Sequence, residues 1–423
     1  MLEELRADYY LPRPDFTSSD ENEAEKYKEW LKEENLHPEE YVKDAKPVRG
    51  YLDDFEPKTW WGGWAANDRW GDFRRFKRDD MYRKLAQKNE IPILSDFTVH
   101  CDYIQSGVDY YRAAEKFPMV SFSYDHNVDG YGIMRYSMVC RMANAAAEYH
   151  GKIARLVCNP QVTKKSHVAF ACNCYADGFV NTFADRLETK KKQRADVYIV
   201  FCEQVLSHMA SLGSDKQNKY FASMCEIYNT FVELGLTVSF TKASEVKNFD
   251  ESIKKSCAVI IPLMDCISWW DMCDLDEYGK SGGNVFSYSC GIHIYERWSF
   301  NKPKKEFFKF YGEMTEKDVI RESNITPSFI TDQKNVVAFC RETKLGHIVS
   351  ILNIGDENIG PCRIKIRVSS RPSIINAQIS DGKNLIHNNL KYSYSDGYAN
   401  IGLDYLAKDF YTLLLITEEN SNV

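Results

Sequence analysis

The sequence predicts a three-part α/β chain: a partial (β/α) barrel, then a flavodoxin-like α/β domain, then a C-terminal β-sandwich. Short apolar runs alternate with helical stretches from residue 91, and this alternation resumes at residue 196 after a charged linker. From about residue 325 the apolar period changes to two, as in antiparallel strands. The predicted domains are residues 1–188, 196–312 and 325–423.

The first part opens with a polar and aromatic segment. Residues 21–34 are predicted to form a helix, because Tyr27, Trp30 and Leu31 recur at the spacing of one helix face. The stretch 60–71 is dense in Trp and Gly, which is the composition of a loop. We therefore expect the strand–helix units to begin after this segment.

Three strand–helix units follow in the first part. The predicted strands are residues 91–97, 119–125 and 153–158, and the predicted helices are residues 103–116 and 133–150. Residues 168–175 supply either a fourth strand or its helix. Strands that alternate with helices of this length indicate parallel βαβ units. Three or four such units make about half of an eight-fold barrel.

The second and third parts are predicted from similar patterns. A charged, apolar-poor linker at residues 187–196 separates them from the first part. In the middle part, the predicted strands are 197–202, 236–240 and 258–262, and the predicted helices are 216–234 and 269–278. In the last part, strands are predicted at 335–340, 347–352, 362–368 and 411–416.

The net charge and the cysteine content limit the partners and the cellular compartment that we expect for this protein. The formal net charge is −7, which argues against a nucleic-acid partner because such a partner requires a basic surface. The chain opens on charged residues, and no apolar run approaches the 18 or so residues of a membrane span. Its 13 cysteines form no disulfide framework. We expect a cytoplasmic protein with free thiols and no membrane partner.

Polar side chains follow the first two predicted strands of the barrel. They are Asp96, His100, Asp125 and His126. Because the carboxyl ends of barrel strands carry the chemistry of such folds, these residues are candidates for binding ligand hydroxyls. The alternative is that they only cap the helices or turns that follow.

Aromatic residues make up 13% of the chain, and three tryptophans share one Gly-rich loop. Trp60, Trp61 and Trp64 in that loop suit stacking against a sugar ring. The alternative is a loop held in place by its own aromatic side chains, above a large aromatic core. Both interpretations stay open from the sequence.

Two further groups of residues are weaker candidates for a site. His167, Cys172 and Cys174 give three metal ligands, whereas a structural zinc site takes four, so no metal and no cofactor is predicted. Cys290 lies in a segment similar to the strand–helix elbow of a thiol nucleophile. Tyr288 stands two residues before it, where such an elbow usually has Gly, so an active thiol there is the weaker reading.

Several strings in shared order resemble glycoside hydrolase family 42, the β-galactosidase-like enzymes. Residues 27–31 resemble the family's Phe-x-x-Trp-Leu helix, and residues 72–76 its Asp-Phe-x-Arg-Phe string. Further similar strings are residues 91–97, 120–125, 258–262 and 282–283. The resemblance implies retaining hydrolysis of glycosides, a carbohydrate partner and an amidotransferase-like middle domain. Because half a barrel leaves the edge of a parallel sheet open to pairing, we also expect assembly into a homo-oligomer.

The sequence departs from the family pattern at the catalytic positions. The resemblance places a catalytic glutamate at the end of the strand 153–158, where this chain has Cys158; the alternative is a shifted alignment of that strand. The strands that form the first half of the barrel have no counterpart after Met1. The catalytic residues are therefore unknown. A catalytically degenerate or truncated glycosidase that binds sugar or supports an assembly is the alternative reading.

Overall fold

The fold described here is that of a computed structural model. It describes residues 21–34, 38, 42–43, 46–47, 76, 78–94, 110–123, 132–157, 164–176, 194–202, 214–263, 266–288, 293–296, 299–301, 309–310, 315–380, 385–408 and 411–419. Within these residues the chain is a mixed α/β protein with two parallel sheets and a C-terminal pair of antiparallel sheets.

The first part contains a short parallel sheet backed by helices. Its helices are α1 (Glu21–Glu33), a helical segment at 78–87, α2 (Tyr110–Lys116), α3 (Gly132–Tyr149) and α4 (Lys164–Ala171). A two-residue hairpin joins β1 (Val42–Lys43) to β2 (Lys46–Pro47). The parallel strands are β3 (Ile93–Leu94), β4 (Met119–Phe122) and β5 (Ile153–Leu156), in the order β3-β4-β5.

Several predicted elements of the first part are confirmed. The face of α1 formed by Tyr27, Trp30 and Leu31 is buried, with exposed fractions of 1%, 3% and 0%. Helix α3 ends before Gly151, which has a φ of +65° and so adopts the left-handed conformation that ends helices. Residues 168–175 supply both predicted alternatives: α4 ends at Ala171, and Tyr175 then pairs in parallel with β5.

The middle part is an open, all-parallel sheet. Its strands are β6 (Val197–Val200), β7 (Val238–Thr241), β8 (Ala258–Ile261), β10 (Asn284–Ser287) and β13 (Lys309–Phe310). Their order is β13-β10-β8-β6-β7, the 2-1-3-4-5 order of flavodoxin-like sheets. The helices are α5 (Ser214–Glu233), α6 (Ala243–Val246), α7 (Glu251–Lys254) and α8 (Trp269–Lys280). A small sheet of β9 (Cys266–Ser268), β11 (His293–Glu296) and β12 (Ser299–Asn301) was not predicted.

The last part begins with helix α9 (Glu316–Glu322). A capping box between Thr315 and Asp318 marks the start of this helix. One antiparallel sheet has the order β14-β17-β21-β20: β14 (Phe329–Thr331), β17 (Cys362–Arg367), β21 (Tyr398–Leu403), β20 (Tyr392–Ser395). The other has the order β15-β16-β22-β18-β19: β15 (Val336–Thr343), β16 (Gly346–Asn353), β22 (Tyr411–Glu418), β18 (Pro372–Ser380), β19 (Leu385–Asn389). Their apolar faces meet in a shared core.

An ion-pair network holds α1, the segment 78–87 and α2 together behind the sheet. The indole Nε1 of Trp30 donates to Asp79 Oδ2 at 3.0 Å, and Asp79 is 5% exposed. Arg112 lies between acidic groups, with Nη2 at 2.8 Å from Glu34 Oε1 and Nη1 at 3.0 Å from Glu115 Oε2. Buried or half-buried polar groups are thus paired where three helices meet.

Polar contacts also join the three parts. Tyr228 of α5 donates to Ser137 Oγ of α3 at 2.9 Å inside a core that runs through the first and middle parts. His167 Nδ1 of α4 lies 2.8 Å from Ser350 Oγ of β16, across the contact with the sandwich. The parts therefore pack as neighbours with shared buried surfaces.

Asp196 connects the middle part to the sandwich. Its carboxylate is 2% exposed and accepts from the Thr237 amide, from Ser328 Oγ and from Arg367 Nη2, each at 2.9 Å. Nearby, the amides of Ser328 and Phe329 both donate to the carbonyl oxygen of Gly235 at 3.0 Å. The buried carboxylate of Asp196 thus joins the middle part of the chain to the sandwich.

Replacing Asp196 with Ala is expected to lower the free energy of unfolding by about 3 kcal/mol, because it leaves the hydrogen-bond donors that face it without their acceptor. Urea unfolding followed by circular dichroism measures the change. Asp404→Ala, at an exposed turn of the sandwich, is the matched control and should change it by about 0.5 kcal/mol or less. Equal effects of the two variants would contradict the role given to Asp196.

Glu115 gives the network around Arg112 a dependence on pH. Partial burial opposes its ionisation, but hydrogen bonds from Lys116 and Arg112 and their charges outweigh burial and lower its pKa from 4.5 to about 2. A lowered carboxylate pKa stabilises the fold above about pH 4.5, and this contribution is lost as the pH falls towards 2.

Glu115→Gln should therefore lower the free energy of unfolding near neutral pH. The side chain is 38% exposed, so solvent screening limits the effect to about 1 kcal/mol. Unfolding curves for the wild type and the variant should converge between pH 4.5 and 2. Glu357→Gln, at an exposed turn, serves as control and should leave the unfolding free energy near neutral pH unchanged. A difference that persists at pH 2 would contradict the prediction.

Candidate functional site

The three parallel strands of the first part end side by side. In register, Leu94 lies beside Phe122, and Phe122 beside Leu156. The ladder continues one residue further, since the Ser123 amide donates to the Leu94 carbonyl at 2.8 Å and the Val157 amide to the Phe122 carbonyl at 2.9 Å. The chain therefore leaves all three strands at one edge, which we call the carboxyl edge.

The residues predicted as site residues follow this edge in the sequence. Asp96 comes two residues after β3, Asp125 three residues after β4, and Cys158 two residues after β5. These residues lie outside the described part of the chain, as do His100, His126, Trp60, Trp61, Trp64 and Cys290. Their grouping around one site stays a prediction, with the carboxyl edge as its described support.

The two faces of this sheet differ in character. Val120, Phe122, Ala154 and Leu156 are at most 2% exposed and belong to the core that includes α3. On the other face, Ser121 and Arg155 occupy the alternate positions, and Ile153 below Arg155 is 50% exposed. One face is thus an apolar core surface, whereas the other, here called the second face, carries polar groups.

Four residues form a continuous row across the second face. Ile93 pairs in register with Ser121, Ser121 with Arg155, and Arg155 with Tyr175. In-register neighbours in a parallel sheet point to the same side, so these side chains lie next to one another at about 4.8 Å spacing. We call Ile93, Ser121, Arg155 and Tyr175 the cross-strand row.

The cross-strand row contains two polar groups within a sheet. Ser121 is 1% exposed, and its Oγ has no hydrogen-bond partner among the described residues. The guanidinium carbon of Arg155 lies 5.9 Å from the centre of the Tyr175 ring, a cation–π distance. Neither Ser121 nor Arg155 is among the site residues predicted from the sequence. The detectable signal was an arginine inside an otherwise apolar strand run.

The carboxyl edge of the middle sheet is a second place where a ligand could bind in a flavodoxin-like fold. Here residues that follow β6 and β7 pack on the first part. The ring of Phe201 stacks on Tyr111 at 5.2 Å, and Lys242 Nζ lies 5.0 Å and 5.3 Å from the ring centres of Tyr111 and Tyr149. Over β6 and β7 this edge therefore serves contact between parts of the chain.

The described cysteines near these contacts make structural contacts. Cys202 Sγ donates to Asp271 Oδ2 at 3.2 Å, and Cys174 Sγ donates to the Cys140 carbonyl at 3.3 Å. Burial raises the pKa of Cys172 to about 12, although Arg141 lowers it. Thiols held in the protonated state are poor nucleophiles.

The group His167, Cys172 and Cys174 likewise serves the packing between α4 and its surroundings. Burial lowers the pKa of His167 to about 3, so the imidazole is neutral beside Ser350. Among the described residues, no cluster of three or more His, Cys, Asp and Glu side chains is arranged to hold a metal ion. None of the described helices combines the length and the apolar character needed to span a bilayer.

Comparison with solved structures identifies the fold. An exo-carrageenase of glycoside hydrolase family 42 from Bacteroides ovatus matches with a TM-score of 0.53 at 12% identity, over 82% of this chain and 56% of that enzyme. A catalytic mutant of a family 42 β-galactosidase from G. stearothermophilus matches with a TM-score of 0.53 at 11% identity, over 93% and 75% of the two chains. A cold-adapted β-galactosidase from Rahnella sp. R3 gives 0.52 at 12% identity, with the same coverage of 93% and 75%.

These matches extend over most of this chain but over only part of each relative. The chain spans a little over half of the exo-carrageenase and three quarters of the two β-galactosidases. No protein-family model and no curated protein matches the sequence. Identities near 11% establish a fold and not an activity. The chain accordingly has the fold of the β-galactosidases of glycoside hydrolase family 42.

Proposed function

We propose that this protein is a carbohydrate-active protein of the β-galactosidase-like glycoside hydrolase type, with its sugar site at the carboxyl edge of β3, β4 and β5. The observation that carries the proposal is the register of the three strand ends, within a fold shared with family 42 enzymes. Chain segments that leave adjacent parallel strands at one edge bring their first residues close together.

In this proposal the residues after β3 and β4 bind the sugar. Asp96 and Asp125 would accept hydrogen bonds from sugar hydroxyls, and His100 and His126 would complete the polar surface. Trp60, Trp61 and Trp64 would supply ring faces for stacking. The residue ranges 1–188, 196–312 and 325–423 remain our proposed domains, and the first of them carries this site.

Retaining hydrolysis of galactosides is the reaction proposed for an active enzyme. It requires two carboxyl groups about 5–5.5 Å apart, one as acid and one as nucleophile. Cys158 occupies the position where the resemblance places the nucleophilic glutamate. A thiol attacks only when a base or a cation lowers its pKa. We therefore assign Cys158 no catalytic step.

Cys158 also supports a second candidate function. A family 42 fold without its nucleophile would bind sugars or support an assembly without cleaving them. A thiol enzyme that uses Cys290 is a weaker third candidate. Against it, Tyr288 stands two residues before Cys290, where the elbow of a thiol nucleophile usually has Gly.

Purified protein is expected to hydrolyse p-nitrophenyl β-D-galactoside. Asp125→Asn should reduce kcat/KM by about ten- to a hundredfold, because a charged hydrogen bond to the sugar becomes a neutral one. Cys158→Ala should leave kcat/KM unchanged, since the thiol has no step in the reaction. Release of p-nitrophenol gives the rates, and Asp404→Asn on the sandwich is the control.

Each contrary result selects one of the other candidates. Wild-type protein that binds galactose but releases no p-nitrophenol would favour the non-catalytic function. A large loss in Cys158→Ala would give the thiol a catalytic role after all. Iodoacetamide labelling that concentrates on Cys290 would favour the thiol enzyme.

We also propose that the protein forms a homo-oligomer. Within the described residues, β3 pairs on one side only, with β4. An uncovered strand edge pairs readily with another chain. Sedimentation velocity at micromolar concentration should show a dimer or a larger species that dissociates on dilution. A single monomer peak over the whole concentration range would contradict this proposal.

A further inference from the structure

A strip of surface residues at the boundary of the first and middle parts has an exposed aromatic side chain at each end. Trp270, in the first turn of α8, is 78% exposed, and Tyr149, the last residue of α3, is 36% exposed. Ser244, Lys247 and Asp274 lie between them. We call these five residues the surface strip.

The surface strip is separate from the proposed sugar site. Tyr149 ends α3, and β5 begins shortly afterwards at Ile153. This beginning of β5 is the end opposite to the carboxyl edge, because the parallel strands run from one edge of the sheet to the other. The strip therefore lies on a part of the surface that the proposed function does not use.

Neighbouring contacts make the strip continuous. Tyr149 Oη lies 3.2 Å from Ser244 Oγ at the start of α6, and Lys247 caps the other end of that short helix. Lys247 Nζ donates to Asp274 Oδ1 at 2.9 Å. Asp274 follows Trp270 by four residues, so both side chains lie on the same face of α8, one turn apart.

Packing beneath the strip fixes the Tyr149 end. Its ring centre lies 5.9 Å from that of Tyr111 and 4.9 Å from that of His150, and Lys242 Nζ is 5.3 Å away. Helix α6, which carries Ser244, packs against α8. A ligand would meet side chains whose positions are already set, which lowers the entropy that binding costs.

The middle of the strip offers both hydrogen-bond donors and acceptors. The side chains of Lys247 and Asp274 are 41% and 18% exposed. An ammonium group donates up to three hydrogen bonds and a carboxylate accepts up to four, and the bond between these two uses one of each. The hydrogen bond to Asp274 and the charge of its carboxylate raise the pKa of Lys247, so the ammonium group stays charged.

The surroundings of Trp270 favour a sugar over a protein surface as the occupant. Tryptophan is highly buried on average, so a ring that is 78% exposed is unusual. On the same face of α8, Cys273 is half-buried and Glu277 is exposed. The core of a protein interface needs a wider apolar area than one ring. A sugar needs one aromatic face for its apolar side and polar groups for its hydroxyls.

We propose that the surface strip is a second sugar-binding site, which takes a neutral oligosaccharide that contains galactose. Trp270 stacks on one sugar ring, and the Lys247–Asp274 pair binds its hydroxyl groups. Tyr149 and Ser244 contact a further sugar unit of the same chain. The choice of galactose rests on the proposed function, whereas the position of the strip does not.

Native gel electrophoresis in gels that contain dissolved β-1,4-galactan tests this site. Galactan should retard the wild-type protein, and Trp270→Ala should raise the apparent Kd about tenfold or more, because the stacking surface is lost. Trp270→Phe keeps a ring and should retain part of the affinity. Lys247→Met should weaken binding through the loss of a charged donor.

Tyr405→Ala is the matched control, since Tyr405 is an aromatic residue of the sandwich that is 49% exposed. It should migrate as the wild type does. Because Trp270 is mostly exposed, Trp270→Ala should unfold at the same urea concentration as the wild type. A lost retardation then reports binding and not folding.

The contrary outcomes separate this inference from the proposed function. Equal mobility of the wild type with and without galactan would overturn the second site, as would a change of less than about twofold in the Kd of Trp270→Ala. If Trp270→Ala turned an oligomer into a monomer in sedimentation velocity, the ring would belong to a contact between copies. Retardation that depends on Trp270, without hydrolysis of aryl galactosides, would remove the proposed reaction and keep the strip. Hydrolysis without such retardation would do the reverse.

Discussion

Parallel pairing of β3, β4 and β5 in strict register is the constraint on which this structure depends. It fixes which side chains face the helices and which face away, because successive residues of a strand point to opposite sides. It makes Val120 and Ala154 core residues and places Ser121 beside Arg155 on the second face. A shift of one residue in any strand would exchange the two faces and bury the guanidinium against α3.

Contacts between the parts of the chain give the middle part a supporting role. Phe201 and Lys242 follow β6 and β7 at the edge where flavodoxin-like folds commonly bind ligands. In this chain they contact Tyr111 and Tyr149 of the first part. At that edge the middle part therefore contacts helices α2 and α3 of the first part and helps to fix their position. Asp196 makes the corresponding connection to the sandwich.

The elements that could be predicted from the sequence are those in which a regular apolar pattern continues over many residues and a residue such as Gly marks the end. Helix α3 and its end at Gly151 are examples, since its apolar residues repeat through five turns. Strand β20 was missed because Tyr392–Ser395 is a short, mostly exposed edge strand without an apolar face. The cross-strand row could not be predicted, because the pairing of Ser121, Arg155 and Tyr175 depends on a register between distant segments. The site residues predicted from the sequence, such as Asp125, lie outside the described part of the chain, so their arrangement stays a prediction.

Gly235 determines how closely the middle part and the sandwich approach each other at this contact. It follows α5 with a φ of +77°, and a Cβ placed there would lie 1.8 Å from the carbonyl oxygen of Phe329 in the sandwich. The middle domain and the sandwich therefore meet with no space for even one methyl group. Any larger residue at position 235 would force the Phe329 carbonyl or the backbone around Gly235 to move.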